Sequence, residues 1–310
     1  MSAYYRDFAA FLSEHFTGKV QKISVDAGLS CPNRDGTIST GGCSYCNNAT
    51  FSPGYCHQHE PVEEQLHKGT EFFARKYTDM RYLAYFQSYT GTHGEVHKLI
   101  DMYRRALNCE GVVGLIIGTR PDCVPDQLLD ELLRLKNVTG RFVMFEFGAE
   151  SSHDTTLATV NRCHTWAQTV DAVERTKQRG FCVGLHFING LPGETCQMML
   201  ETVDAINCTD IDTVKFHQLQ IVRGTRMARQ WQSGELIFNE FTLEGYIDHC
   251  VDIVARLKPE IAIERFTSQS PDELLISPRW GVKNYQFTNL LNNRLAAAGV
   301  TQGCRFTSRM

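Results

Sequence analysis

The 310-residue sequence has 31 Lys and Arg residues against 35 Asp and Glu residues, a net charge of −4, and 42% of its residues are hydrophobic. A chain of this length can bury a full hydrophobic core, and its ordinary charged fraction of 21% excludes an intrinsically disordered protein. The longest apolar runs, such as Val112–Gly118, have only the length of a strand, so we expect no membrane-spanning segment.

The start of the sequence and its cysteines indicate the compartment. Arg6, Asp7 and Glu14 lie where a secretory signal would need an apolar segment, so we expect a cytoplasmic protein. Thiols stay reduced in that compartment. The 12 cysteines are therefore expected to comprise scattered core thiols and a metal or cluster site, rather than a framework of disulfides.

Strand-like and helix-like segments alternate along most of the chain. The predicted strands, rich in Val, Ile, Phe and Tyr, are Val20–Ala27, Arg81–Tyr89, Val112–Thr119, Arg141–Phe147, Phe181–Ile188 and Thr213–Val222. The amphipathic segments between them predict helices over Pro61–Tyr77, Gly94–Asn108, Asp126–Lys136, His164–Gln178 and Glu194–Ile206. This α/β alternation predicts a parallel sheet with helical crossovers, which either curls into a partial barrel or stays open as a doubly wound sheet.

The pattern changes after Trp231. A helix over Leu243–Leu257, one more strand over Ile261–Phe266 and a last helix over Val282–Ala298 are predicted there. We therefore divide the chain into a main domain of residues 1–235 and a C-terminal α/β extension of residues 236–310, which packs on the main domain.

Three cysteines follow the first predicted strand: Cys31, Cys43 and Cys46 lie within 16 residues of sequence. Loops at the carboxyl ends of strands carry the active sites of many β/α proteins, so this loop is a candidate for chemistry. Three thiolates on an iron–sulfur cluster leave one iron open to another ligand, whereas structural zinc sites close with four ligands. The alternative zinc site would find further ligands in Cys56, His57 and His59.

Several motifs along the chain carry a family resemblance. They are Asp26-Ala27-Gly28, Cys31-Pro32-Asn33-Arg34-Asp35-Gly36-Thr37, Gly41-Gly42-Cys43-Ser44-Tyr45-Cys46, Gly118-Thr119-Arg120-Pro121-Asp122, Glu146-Phe147-Gly148-Ala149-Glu150-Ser151, Asn161-Arg162-Cys163-His164 and Asn189-Gly190-Leu191-Pro192-Gly193-Glu194. Together they resemble the radical S-adenosylmethionine (SAM) superfamily and, over nearly the full length, its YhcC-type family. The wide Cys-x11-Cys-x2-Cys spacing resembles the long-loop branch that includes the catalytic subunit of elongator.

The resemblance implies a fold and two cofactors. The fold is a partial (β/α)6 barrel of the TIM type, with residues 1–235 as the radical SAM core domain. Cys31, Cys43 and Cys46 would carry a [4Fe–4S] cluster whose open iron binds SAM. An electron from the cluster would break a sulfonium–carbon bond of SAM, and the resulting 5′-deoxyadenosyl radical would abstract a substrate hydrogen. An electron donor such as flavodoxin or ferredoxin is then an expected partner.

The resemblance also implies residues that contact SAM. Many radical SAM enzymes bind the SAM amino group with a Gly-Gly-Glu run after the second strand, which is absent here, so Gln87 and Thr90 are the expected substitutes. Glu150 and Ser151, at the end of the fourth strand, are placed to bind ribose hydroxyls or the amino group. Arg162 is a candidate for the SAM carboxylate, because a guanidinium matches a carboxylate bidentately; the alternative is a structural ion pair.

The last two strands of the main domain supply further candidates. Gly190 and Gly193 would let a turn approach the adenine, and Leu219 would bind it through its backbone. Lys215 and His217 alternate on one strand and share a face. An inward-facing Lys215 would need an anion, which makes it a catalytic candidate that binds a carboxylate of the substrate or of SAM.

These strands also allow an alternative interpretation. His186 and His217, on neighbouring strands, could bind a metal ion that catalyses hydrolysis.

The resemblance to the elongator subunit implies a wobble uridine of tRNA as substrate. The last 37 residues contain only basic charges interleaved with aromatic residues, a mixture that suits RNA: Arg279, Trp280, Lys283, Tyr285, Phe287, Arg294, Arg305, Phe306 and Arg309. The overall isoelectric point near 6.3 argues against a dedicated nucleic-acid binder. Two alternatives therefore remain: the same chemistry on a protein or small metabolite, and a zinc-stabilised binding protein without catalysis.

Overall fold

The computed structural model describes residues 2–75, 79–236 and 240–307 and has ten α-helices and nine β-strands within these ranges. The helices are α1 (Phe8–His15), α2 (Val62–Ala74), α3 (Val96–Leu107), α4 (Asp126–Thr139), α5 (Asp154–Thr159), α6 (Trp166–Gln178), α7 (Cys196–Asn207), α8 (Arg226–Gln232), α9 (Leu243–Arg256) and α10 (Asn284–Ala298). The strands are β1 (Val20–Val25), β2 (Arg81–Phe86), β3 (Val112–Thr119), β4 (Phe142–Glu150), β5 (Cys182–Asn189), β6 (Thr213–Gln218), β7 (Ile221–Val222), β8 (Ala262–Arg265) and β9 (Leu275–Ser277).

The elements lie close to their predicted positions. Helix α4 begins at Asp126 as predicted and buries Leu128, Leu129, Leu132 and Leu135 on one face. It continues past the predicted end at Lys136 because the left-handed residue that stops it is Gly140, with a φ of 65°. The predicted end of another helix, at Tyr77, lies outside the described residues, and α1, α5 and α8 were not predicted.

Seven parallel strands form one curled sheet in the order β1-β2-β3-β4-β5-β6-β8. Consecutive strands lie side by side without the reversal of order that defines a doubly wound sheet. The partial barrel is therefore confirmed, and the doubly wound alternative is wrong. Strand β8 comes from the predicted C-terminal extension and completes the sheet; the division at residue 235 itself stays a prediction.

The inside of this half-barrel has three layers. At the amino ends of the strands, α1 closes the barrel with an apolar layer, in which the Phe11 and Phe142 rings lie 6.4 Å apart. Above it lies a layer of charged side chains contributed by β1, β4, β6 and β8, together with His186 of β5. A cavity follows at the carboxyl ends, where β/α folds place their active sites.

Strands β1 and β8 form the two edges of the curled sheet, and among the described residues no backbone pairing joins them. The Lys22 ammonium on β1 instead meets the Glu264 carboxylate on β8 at 2.6 Å. We call this gap between β1 and β8 the seam. The outer edge of β8 is partly covered, because the Ile263 N–H donates to the Arg6 carbonyl at 2.8 Å.

Strand β8 contains a β-bulge opposite β6. Val214 pairs with Ile263, but the next residue, Lys215, pairs with Arg265, so Glu264 is the additional residue. A regular strand would send Glu264 and Arg265 to opposite faces of the sheet. With the bulge, the carboxylate of Glu264 contacts Lys215 inside the half-barrel, and Arg265 also lines internal cavities.

The predicted strand Thr213–Val222 is interrupted after Gln218. Its last part, β7, leaves the curled sheet and forms an antiparallel pair with β9. No helix in the described ranges combines the length and apolarity needed to cross a bilayer.

The C-terminal basic residues have acidic neighbours on α9. Arg294 pairs with Asp248, and the Arg305 guanidinium lies 2.7 Å from Asp252. Arg309 lies outside the described residues. Part of the predicted basic surface is therefore neutralised within the protein.

Candidate cofactor site

A cavity of ≈ 380 Å³ opens at the carboxyl ends of the strands, above the charged layer. Its size is that of a typical small-molecule site. It is lined by the three predicted cluster cysteines and by five of the predicted cofactor-binding residues: Cys31, Cys43, Cys46, Gln87, Thr90, Glu150, Arg162 and Leu219. The structure thus brings together residues spread over most of the main domain, and their individual roles stay predictions.

Backbone hydrogen bonds shape the cysteine loop. The Arg34 N–H donates to the Cys31 carbonyl, and the Gly42 N–H donates to the Asn33 carbonyl, both at 2.7 Å. Gly42 has a φ of 74°, and a Cβ there would lie 2.9 Å from the Arg34 guanidinium. Glycine therefore lets the loop fold back on itself, which brings its last two cysteines to the cavity.

N–H groups are directed at the cysteine loop. Arg162 Nη1 and Asn33 Nδ2 each donate to the Cys43 sulfur at 3.5 Å. Arg34 Nη2 donates to the Cys46 carbonyl at 2.9 Å. Hydrogen bonds to sulfur and nearby positive charge stabilise thiolates and tune iron–sulfur clusters. Donors to the Cys43 sulfur and to the Cys46 carbonyl, beside three cysteines at one cavity, fit a [4Fe–4S] cluster.

The structure gives no support to the zinc alternative. Cys56 is buried elsewhere, with its thiol 3.2 Å from the Gln65 side chain, and burial raises its pKa to about 12. Within the described ranges, no three side chains of His, Cys, Asp or Glu are grouped closely enough to hold one metal ion. A four-iron cluster is larger than one ion, so its cysteines are expected to lie further apart than zinc ligands.

Four buried polar atoms at the cavity have no hydrogen-bond partner among the described residues: the Tyr45 and Thr90 hydroxyls, Nη1 of Arg120 and Nε of Arg265. Buried polar groups are nearly always paired, so unpaired groups at a cavity indicate a polar ligand. SAM offers a carboxylate, an amino group and two ribose hydroxyls. The lining of the cavity therefore fits SAM beside the cluster.

Glu150 reaches the cavity through an irregular end of β4. It has a φ of 68°, and the register with β5 shifts between Gly148 and Glu150. Its carboxylate lies 3.5 Å from Arg162 Nη2, and a Cβ on Gly148 would lie 2.7 Å from both groups. Burial raises the pKa of Glu150, although the Arg162 guanidinium opposes the shift. Glycine at position 148 thus makes room for this pair.

Arg162 already has several partners. Besides Cys43 and Glu150, it donates from Nε to His164 at 3.0 Å and from Nη2 to the Gly148 carbonyl at 2.5 Å. The guanidinium is thus both an ion-pair partner and a donor to a predicted cluster ligand. Its contact with the SAM carboxylate stays a prediction.

Three predicted cofactor-binding residues do not line the main cavity. The Ser151 hydroxyl donates to the Glu194 carboxylate. Gly190, with a φ of 89°, borders a small neighbouring cavity together with Leu219. Gly193 has a φ of 87° and open space around its Cβ position. Both glycines form the tight turn expected after β5, and their contact with adenine stays a prediction.

Lys215 faces the inside of the half-barrel, in the charged layer below the main cavity. Its ammonium lies 2.9 Å from Glu146 and 3.0 Å from Glu264, so two carboxylates of the chain supply the anion that its burial requires. Burial lowers the pKa of Lys215 to about 8, although both carboxylates oppose the shift. Burial by itself would raise the pKa of Glu146, but Lys215 and Lys22 hold it well below its usual range.

The two histidines of the hydrolytic alternative also face inward. The His186 and His217 ring centroids lie 5.7 Å apart, and His186 Nε2 bonds to Glu146 at 2.9 Å. Burial lowers the pKa of His186 to about 4 and holds that of His217 well below its usual range, so both rings are neutral. The described residues supply no further ligand that would complete a metal site with them.

Sequence reasoning assigned no role to three arginines that line the cavity: Arg34, Arg120 and Arg265. Arg120 is only 1% exposed and pairs with Asp122 at 2.8 Å. Its place directly after β3, at the carboxyl end of a parallel strand, was a signal that could have identified it. Arg265 reaches the cavity through the bulge, which the alternation of residues along β8 does not indicate.

Comparisons with known proteins identify the family that the chain resembles. The model of the radical SAM superfamily matches residues 35–206, and that of the radical SAM C-terminal domain matches residues 211–297. Protein YhcC of Escherichia coli (strain K12) is 40% identical over 273 residues, which cover 88% of this chain and 86% of YhcC. A tRNA uridine(34) acetyltransferase of Methanocaldococcus infernus is 24% identical over 196 residues, which cover 62% of this chain and 35% of that protein.

A solved structure shares the fold. The archaeal Methanocaldococcus infernus Elp3, lacking residues 1–46, superposes with a TM-score of 0.69 at 17% sequence identity. The match covers 93% of this chain and 65% of the Elp3 chain. At this identity the likeness shows the fold alone, and the chain spans just under two thirds of that Elp3.

Proposed function

The chain belongs to the radical SAM superfamily, and we propose that it modifies the side chain of a wobble uridine in tRNA. Its cofactors are a [4Fe–4S] cluster and SAM. When bound, a reduced cluster would supply the electron for cleavage of SAM to methionine and a 5′-deoxyadenosyl radical, the species that would abstract a substrate hydrogen. The protein must bind and orient these cofactors and exclude water.

The observation that carries the proposal is the convergence of three cysteines and unpaired polar groups on one cavity. In the proposal Cys31, Cys43 and Cys46 bind the cluster at the mouth of the half-barrel. Thr90 and Arg120 have donor or acceptor atoms left over for the polar groups of SAM.

The proposed substrate rests on relatives. The Methanocaldococcus infernus relative is named for uridine 34 of tRNA, and this chain matches 35% of it. Acetyl transfer is not part of the proposal, because most of that protein has no counterpart here. On α10, the Tyr285 ring is 63% exposed beside the exposed Lys283, and an exposed aromatic ring next to a cation suits a base and its phosphate.

A second candidate substrate is a small metabolite. The ring of Phe287 is only 1% exposed and is not available to a base, and the pairing of Arg294 and Arg305 with aspartates lowers the net positive charge of the basic segment. An enzyme for a small molecule needs no basic surface of this kind.

Nucleoside mass spectrometry of total tRNA tests the proposal. We expect one modified uridine to be present in cells with the gene and absent in cells without it or with Cys43→Ala. Cys208→Ala is the matched control, because Cys208 is exposed and its thiol bonds only to the Asp204 carbonyl. This control should retain the modification.

Unchanged tRNA in a host that makes wobble modifications would contradict the RNA substrate. The radical chemistry would then be examined with purified protein, a chemical reductant and SAM, where release of 5′-deoxyadenosine would direct the search to metabolites.

A further inference from the structure

A second cavity, of ≈ 570 Å³, lies at the seam between β1 and β8. Four of its thirteen lining residues are aromatic: Tyr55, Phe72, Phe73 and Tyr85. The rings of Tyr55 and Phe72 lie 5.9 Å apart, and Phe72 is 58% exposed. The seam cavity therefore combines access from solvent with flat apolar surfaces.

The seam cavity adjoins the cavity of the cysteines. Three residues line both: Tyr85, Gln87 and Arg265. A molecule in the seam cavity would thus lie next to the proposed SAM site, where a substrate of radical chemistry must be. Arg265 stands at the junction because the bulge in β8 turns it inward.

Arg265 differs from every charged neighbour in the half-barrel. Lys22 and Lys215 both pair with Glu146 and with Glu264. The Arg265 side chain has no hydrogen bond or ion pair with any described residue, and its Nε atom is buried without a partner. A buried guanidinium nitrogen without an acceptor is costly, which indicates that an acceptor binds there.

The charges of this region do not balance. The positive charges of Lys22 and Lys215 balance the negative charges of Glu146 and Glu264. The neighbouring His186 and His217 are neutral at pH 7. Burial and then the charge of Arg265 hold the pKa of His217 well below its usual range, and both side chains line the cavity of the cysteines. One positive charge remains, on Arg265, and a single negative charge would neutralise it.

We propose that Arg265 binds an oxyanion of the substrate, a phosphodiester or a carboxylate, while a planar part of the same molecule lies among the aromatic residues of the seam cavity. Guanidinium binds both oxyanions bidentately, and aromatic rings stack on planar bases. This inference rests on the proposed function, because it assumes that the cluster and SAM occupy the cavity of the cysteines. It adds a residue, Arg265, that recognises the substrate. It also describes the substrate as a molecule with a negatively charged group next to a planar ring.

The test measures binding by anaerobic purified holoprotein, without turnover. The probes are an anticodon stem–loop RNA for the phosphodiester, orotate for the carboxylate and uracil as the neutral ring. Arg265→Gln should weaken binding of the anionic probe about tenfold or more and leave uracil unchanged. Arg265→Lys keeps a cation and should restore part of the affinity.

Arg134→Gln is the matched control, because the Arg134 side chain is 69% exposed on the outer helix α4. It removes the same charge and should bind every probe like the wild type. Absorbance of the cluster and the melting temperature confirm that the variants are loaded and folded.

A selective loss for the RNA assigns the phosphodiester, and a selective loss for orotate assigns the carboxylate. If neither anionic probe binds the wild type more tightly than Arg265→Gln, the proposal is overturned. If Arg265→Gln loses orotate binding while cellular tRNA is unchanged by gene deletion, the role of Arg265 stands and the tRNA substrate fails.

Discussion

Buried ion pairs of Glu146 connect strands of the half-barrel that lie apart in sequence, and Lys215 is one of its partners. The Glu146 carboxylate on β4 binds Lys22 on β1 at 2.6 Å and Lys215 on β6 at 2.9 Å, and it is 1% exposed. Removing one member of a buried charge group leaves its partners without compensation. The stability of the barrel interior therefore depends on this carboxylate.

We expect Glu146→Gln to lower the free energy of unfolding by about 3 kcal/mol or more, since it leaves two ammonium groups short of one charge. Urea unfolding under anaerobic conditions measures the change. Glu131→Gln, which removes a carboxylate from an exposed pair with Arg134, should change the free energy by less than about 1 kcal/mol. Equal effects of the two substitutions would contradict the role of the buried network.

The sequence predicted this region in part. Alternation along β6 correctly placed Lys215 and His217 on one face, and the need of a buried lysine for an anion was correctly anticipated. The identity of that anion was not predictable, because Glu264 belongs to a strand far away in sequence. Arg120 could have been found from its place after β3, whereas Arg265 could not.

Among the elements, β3 has the bounds Val112–Thr119 that its apolar run predicts. Parallel strands buried on both faces give such clear runs of hydrophobic residues. The interruption after Gln218 and the bulge in β8 were not visible in the sequence, because both depend on pairing with distant strands. The predicted elements thus define the sheet, and its irregularities come from tertiary contacts.

Strand β3 packs so closely against β4 that Gly114 has no room for a side chain. A Cβ there would lie 2.5 Å from the Phe142 carbonyl oxygen and 2.8 Å from the Phe142 Cβ. Gly114→Ala is therefore expected to lower the free energy of unfolding by about 1–3 kcal/mol. Gly54→Ala, at a position with open space, is the control and should be nearly neutral. A neutral Gly114→Ala in urea unfolding would contradict this register.

At the scale of the whole molecule, several buried histidines make the fold sensitive to acid. Burial lowers the pKa of His164 to about 3 and those of His186 and His249 to about 4, and His217 shifts the same way. The unfolded chain binds these protons near pH 6.5, so it holds more protons than the folded chain below that pH. Stability should therefore fall as the pH decreases from about 6.5 to about 4.

His249 isolates this effect because it does not line the cavity of Cys31, Cys43 and Cys46, and its ring stacks on Phe241 with centroids 5.3 Å apart. We expect His249→Phe to reduce the acid-induced loss of stability by up to about 1.4 kcal/mol per pH unit within that range. The measurement is the urea midpoint at several pH values. His67→Gln, at a side chain 73% exposed, should follow the wild type, and an identical pH profile for His249→Phe would contradict the prediction.

The bulge in β8 determines which charged side chains face the cavities, and it does so without changing the order of the strands. A chain with one residue fewer between Ile263 and Arg265 would keep a regular ladder to β6 and the same apolar layers. The arginine would then directly follow Ile263, still opposite Lys215 and facing inward, but the carboxylate that contacts Lys22 and Lys215 would be missing. Relatives of equal fold can thus differ in the charge they present to a substrate through an insertion or deletion of one amino acid, without any substitution at the cysteines.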